Sequence, residues 1–133
     1  MAKRNWIEEA TELGVASITL EDLEILDGYD STGELFIEVI DTYLASSPDL
    51  VALLRHPKSK DGTKSVLGAA HELKSSSANL GARNLSAICD QIEIEMSKNS
   101  SGAKLLELVE QACAEFIQVR NDLSKIKTIR KAE

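Results

Sequence analysis

The chain has 133 residues, with 15 Lys and Arg against 22 Asp and Glu, giving a formal charge of −7. That balance argues against a nucleic-acid binder, which needs a concentrated basic surface to displace phosphate counterions. The length suits one domain with a core of its own, and Cys89 and Cys113 are too far apart for a CxxC metal or redox motif.

The start, MAKRNWIEEATEL, is charged and amphipathic, unlike a signal peptide. No apolar run approaches the roughly 20 residues that cross a bilayer. A soluble, cytoplasmic chain with reduced cysteines and no membrane partner is expected. Apolar residues recur at helical spacing nearly everywhere, which predicts an all-α protein.

Trp6, Ile7, Ala10 and Leu13 mark a short first helix. Thr19 is placed to cap a second one carrying Leu20, Leu23 and Leu26. Ser31 or Thr32 is the expected cap of a longer helix whose stripe is Leu35, Phe36, Val39, Ile40, Tyr43, Leu44, Leu50, Val51 and Leu54. Pro48 should kink or restart it.

After the polar turn HPKSKDG a helix is predicted from about Thr63 to Leu80, ended by Gly81. Leu85, Ile88, Cys89, Ile92 and Met96 mark the next, and KNSSG breaks the chain after it. Leu105, Val109, Ala112, Phe116, Val119, Leu123 and Ile126 then alternate steps of four and three, a bundle-type seam. Four longer helices with short connections imply an antiparallel four-helix bundle with short additional N-terminal helices. The expected organisation is one domain over 1–133, with the bundle core at about 32–128 and the short helices at about 4–27. Both cysteines belong with the apolar stripes. Lys125, Lys127, Arg130 and Lys131 read as a solvated, fraying helix end that suits the helix dipole.

His71 heads the run HELKSSSANLG. At about 100° per residue, with Val66, Ala70, Leu73, Ser77 and Leu80 facing inward, His71 falls on the outward half of its helix. Lys64, Gly68, Ser75 and Ala78 share its face, and Lys74 stands beside it. An exposed imidazole among small side chains is open to nucleophilic attack on an approaching group. A nearby ammonium offsets the charge of a transferred phosphoryl. A solvated surface histidine beside small residues fits the helix geometry equally well. His56, before Pro57 at a helix end, reads as structural. Metal ligation by His71 lacks a partner at i+3 or i+4, and a Ser/His catalytic pair lacks an oxyanion loop and an orienting third group.

The string AAHELKSSSANLGARNLSAICDQIE resembles the signature of the histidine-containing phosphotransfer (HPt) family, approximately A-H-x-L-K-G-S-S-x-x-L-G-A-x-x-L-x-x-x-C-x-x-L-E. Ala70, His71, Leu73, Lys74, Ser76, Ser77, Leu80, Gly81, Ala82, Leu85, Cys89 and Glu93 match in register. The resemblance implies a phosphorelay intermediate without kinase activity of its own. His71 would be the phospho-acceptor and Lys74 the stabilising charge, with Lys64, Gly68, Ser75 and Ala78 as the surface for partner docking. Phosphoryl groups would come from, and go to, receiver domains of response regulators or of a hybrid sensor histidine kinase, with Mg²⁺ on the receiver and no cofactor in this chain.

Ser75 stands where the family pattern usually has glycine. HELK also resembles the H-E-L-R-T-P box of sensor kinases, but the proline is missing and no glycine-rich ATP-binding region follows. The expected molecule is a monomer, and its Met1 and short ends favour a free-standing protein. The alternative is a non-phosphorylated adaptor that binds a receiver or a helical partner through the same face.

Overall fold

Six helices and no strands make up the described residues of the computed structural model, 5–57, 62–98 and 102–133, apart from the side chains of 62–64. They are α1 (Trp6–Leu13), α2 (Leu20–Asp27), α3 (Glu34–Arg55), α4 (Gly62–Asn79), α5 (Arg83–Ser97) and α6 (Gly102–Lys131). The expected turns HPKSKDG and KNSSG fall largely on 58–61 and 99–101, outside the described residues.

The four longer helices pack in a ring, α3 on α4, α4 on α5, α5 on α6 and α6 back on α3. Residues at i, i+3 and i+4 meet in the middle: Phe36, Ile40, Tyr43 and Leu54 from α3, Val66, Ala70 and Leu73 from α4, Leu85, Cys89 and Ile92 from α5, and Val109 through Ile126 from α6. Each fully buried Leu or Ile in that ring contributes about 1.5–3 kcal/mol of transfer free energy. The stripe of α3 is wider than its buried face, and Leu35 at its edge stays 38% exposed.

At 15 residues, α5 is half as long as the 30-residue α6. The N-terminal segment covers the part of α6 beyond it. There α1 packs on α6, Trp6 stacks against Phe36 with ring centroids 5.2 Å apart, and Ser17 donates from its N–H (3.1 Å) and hydroxyl (2.6 Å) to the buried Asp122 carboxylate. Trp6, Ala10, Val15, Ile18 and Leu23 thereby join the same core.

Gly81 ends α4 as expected, with φ +78. The Ala82 N–H donates to the Ser77 carbonyl and the Gly81 N–H to the Ala78 carbonyl, a Schellman closure that turns the chain directly into α5. The Arg83 guanidinium then grips Asp22 through two 2.8 Å bonds and holds that carboxyl below its ordinary range.

Four expectations need correction. The N-cap of α3 is Gly33, at φ +80, not Ser31 or Thr32. That left-handed φ is what favours glycine at the turn, and the open side of the residue faces the Arg130 guanidinium. Thr32 still contributes to the cap from one residue farther back, its hydroxyl accepting from the Glu34 N–H at 3.2 Å, and Asp30 accepts from the Thr32 hydroxyl and N–H and from the Leu35 N–H, bonds that lower its carboxyl pKa.

Thr19 sits at the N-cap of α2, but its side chain makes no cap bond. Its backbone N–H goes instead to the Gly81 carbonyl, at 2.8 Å. Of the kink or restart expected at Pro48, the restart is what needs correction: α3 runs on through Pro48 to Arg55, with the Ser47 hydroxyl donating to the Tyr43 carbonyl one turn back.

The C-terminal cations do not all fray into solvent. Arg130, only 13% exposed, pairs with Asp27 (3.1 Å) and Glu133 (3.4 Å), and Lys127 pairs with Asp41, because the end of α6 lies beside the last residue of α2 and the first half of α3.

Candidate functional site

The inward face expected for α4 is buried in full: Val66, Ala70, Leu73, Ser77 and Leu80. About 100° around the helix, the His71 side chain is 68% accessible. Gly68, Ser75 and Ala78 are exposed with it on the same face. The Lys64 side chain lies outside the described residues. Nothing stands within 4 Å of where a Cβ on Gly68 would be, so the surface beside the ring is low and open.

The three consecutive serines divide their work. Ser77 is buried and shares a 2.9 Å hydrogen bond with the Tyr43 hydroxyl, tying α4 to α3. Ser76 donates to the Glu72 carbonyl one turn back at 3.0 Å. Ser75 faces solvent, and no group among the described residues bonds its hydroxyl.

On the other flank of His71 the antiparallel run of α5 brings up two carboxylates. Lys74 Nζ lies 2.9 Å from Glu93 Oε1 and 3.3 Å from Asp90 Oδ1, and His71 Nδ1 lies 3.4 Å from Glu93 Oε2. Glu93 is only 20% exposed. Its Oε1 is sealed from solvent, and the short approach of Lys74 departs from hydrogen-bond alignment, so the contact is chiefly an ion pair. Glu93 above all raises the Lys74 ammonium above its ordinary pKa, against the opposing effect of burial and with a further contribution from Asp90. The Ser86 hydroxyl, donating to the Lys74 carbonyl at 2.9 Å, holds α5 to α4 at this level.

The ammonium of Lys74, the expected charge beside the ring, is drawn to α5, because two carboxylates wait there. One of them, Glu93, then spans Lys74 and His71. Asp90 and Glu93 are the residues missed as parts of the site. Their spacing of three on one face of α5 was visible, as was Glu93 in the motif register, but the pairing of that face with His71 is a cross-helix fact.

Cys89 is buried beneath this cluster, and its thiol is pushed up to about 12, mainly by burial and then by Glu93. It is a core residue and no nucleophile. Cys113 is half-buried. His56 is the exposed C-cap of α3. Among the described residues no three His, Cys, Asp or Glu side chains are grouped to hold a metal ion, and no helix is long and apolar enough to cross a membrane.

Comparison with curated proteins gives no match. Among solved structures the chain is similar to the histidine-containing phosphotransfer protein B (HptB) from Pseudomonas aeruginosa PAO1. The TM-score is 0.75 at 20% identity, covering 86% of this chain and 97% of that one, a likeness of fold. The family model described as the Hpt domain matches residues 38–128, which include α4, α5 and the whole His71 cluster. That match spans most of the chain, and with it the chain belongs to the Hpt domain family.

Proposed function

We propose that the chain is a phosphorelay intermediate in which His71 accepts a phosphoryl group from the aspartyl phosphate of one receiver domain and passes it to another. The observation that carries this reading is the ring's orientation. Its Nδ1 faces the Glu93 carboxylate at 3.4 Å while the side chain stays 68% accessible. A carboxylate at Nδ1 favours the tautomer that keeps its proton there, which leaves the Nε2 lone pair free on the solvent side.

In the forward step that lone pair attacks phosphorus and forms an N–P bond. The P–O bond to the receiver's aspartate breaks, and the aspartate leaves as carboxylate. The Nδ1 proton remains between the ring and Glu93, so no separate base is needed. Onward transfer is the reverse reaction with a second aspartate.

Lys74 acts at one remove in this scheme. Its ammonium neutralises Glu93 and fixes where that carboxylate stands. Gly68, Ser75 and Ala78 form the low surface over which the receiver docks, and Lys64 is assigned to the same docking set by its helical register. Mg²⁺ and the acidic pocket that binds it belong to the receiver, a domain of a response regulator or of a hybrid sensor histidine kinase. The chain works as a cytoplasmic monomer without kinase activity of its own.

The test incubates wild type, His71→Gln and His56→Gln with a phosphorylated receiver and Mg²⁺. Wild type and His56→Gln should take up an acid-labile phosphoryl label, and His71→Gln should not. A label retained by His71→Gln would refute the assignment. A wild type that binds the receiver without ever being labelled would be the adaptor instead.

A further inference from the structure

The serine run leaves one hydroxyl without a structural task. Ser76 and Ser77 have their protein partners, and each is accounted for by the helix or by the core. Ser75 lies on the exposed face, one turn after His71, with no bond to its hydroxyl among the described residues. We infer that the Ser75 hydroxyl donates a hydrogen bond to the phosphoryl group carried by His71 and so sets how long the phosphorylated form persists. This inference rests on the phosphorelay reading and adds a contact made only in the loaded state.

Position comes first. Side chains at i and i+4 on a helix are neighbours, with Cβ atoms about 5–6 Å apart. A helical side chain leans toward the N-terminus, so Ser75 leans toward His71. The ring in turn is held by Glu93, which also binds Lys74. Glu93 reaches Nδ1 from α5, on the flank of the helix where Lys74 lies. Nε2, on the opposite side of the ring, is turned toward the other flank, where 100° per residue places Ser75 and the gap left by Gly68.

Availability comes second. A phosphoryl group brings close to two negative charges and three strong acceptor oxygens. The nearest cation in the resting site, Lys74, is already answered by Glu93 at 2.9 Å and Asp90 at 3.3 Å. Transferring it to the phosphoryl would strip the shielded Glu93 Oε1 of its counter-charge. Ser75 donates at no such cost, since it exchanges only a water partner.

The kinetic consequence follows from the charge that moves. Loss of the phosphoryl to water passes through a loose, metaphosphate-like transition state in which negative charge flows away from the departing group. A donor to the phosphoryl oxygens therefore stabilises the phosphohistidine more than the transition state and slows its decay. The bond to a charged acceptor is a strong type, but the site is wet, so the effect is modest.

The experiment loads wild type, Ser75→Ala and Ser75→Thr with label from a phosphorylated receiver, removes the receiver, and follows loss of the acid-labile label. Lifetimes read after that removal do not depend on how fast each variant was loaded. Ser75→Ala should shorten the lifetime by roughly threefold to tenfold, while Ser75→Thr, which keeps the hydroxyl, stays near wild type, both with unchanged circular dichroism. Equal lifetimes for wild type and Ser75→Ala would overturn the inference, as would a Ser75→Thr that decays like Ser75→Ala. Failure of wild type to load at all would instead overturn the phosphorelay reading beneath it.

Discussion

Thr19 and Gly81 meet backbone to backbone: the Thr19 N–H donates to the Gly81 carbonyl at 2.8 Å, and the Thr19 carbonyl lies 2.5 Å from where a Cβ on Gly81 would stand. The glycine is required twice, by its φ of +78 and by this approach. Gly81→Ala should therefore cost about 2–4 kcal/mol, the sum of left-handed strain and a displaced contact. Urea unfolding should show a lower midpoint with an unchanged slope. A midpoint within error of wild type would mean that the linker before α2 moves aside freely.

Alkaline pH should weaken the fold through two buried acids. Burial pushes both the Cys89 thiol and the Tyr43 hydroxyl up to about 12, from 9.0 and 10.0. Their folded pKa values exceed the unfolded ones, so this stability is full below pH 9 and lost as pH rises toward 12. Each group steepens the fall by at most about 1.4 kcal/mol per pH unit. Cys89→Ala lowers stability overall through its cavity but should flatten the decline between pH 9 and 10, where only the thiol contributes. Parallel pH profiles for the two proteins would contradict the assignment.

Removing the Glu93 carboxylate should release the ring. In Glu93→Ala the His71 Nδ1 loses the carboxylate 3.4 Å away, and long-range ¹H–¹⁵N spectra should show the Nε2–H tautomer gaining over the Nδ1–H one. Receiver-to-His71 transfer should slow by roughly tenfold, equivalent to about 1.4 kcal/mol of barrier. Lys74→Ala should show a smaller change of the same kind, because it leaves Glu93 present but unanchored. An unaltered tautomer ratio in Glu93→Ala would remove Glu93 from the mechanism.

Bulk on the open face should block docking and spare the fold. A Cβ on Gly68 meets nothing within 4 Å, and Ser75 is exposed, so Gly68→Leu and Ser75→Leu should keep wild-type circular dichroism. Transfer from a receiver should fall by at least about tenfold in each, since two surfaces cannot close over an added isobutyl group. Full transfer in both variants would place the receiver on another face.

What the sequence disclosed depended on how local the cause was. The inward face of α4 and the seam of α6 follow from period alone, and the burial of Val66, Leu73, Val119 and Leu123 agrees with it. The exposure of His71 is the complement of that face and was equally legible. The partners of Lys74 were not, because Asp90 and Glu93 reach it from another helix. The cap of α3 was half legible: the Thr32 hydroxyl does accept from the Glu34 N–H, but the N-cap position itself falls one residue on, at Gly33, where a φ of +80 favours glycine.

The short N-terminal helices alter what counts as a whole unit. The family match begins at residue 38. Ahead of that point lie Trp6 against Phe36, Ser17 on Asp122, Thr19 on Gly81 and Asp27 on Arg130. A fragment cut at the homology boundary would keep every residue of the His71 cluster and lose the flank that closes over the far half of α6. Ancestry and packing are thus written on stretches of different length: the shorter one is enough to recognise the chain, and the longer one carries the contacts that complete its core.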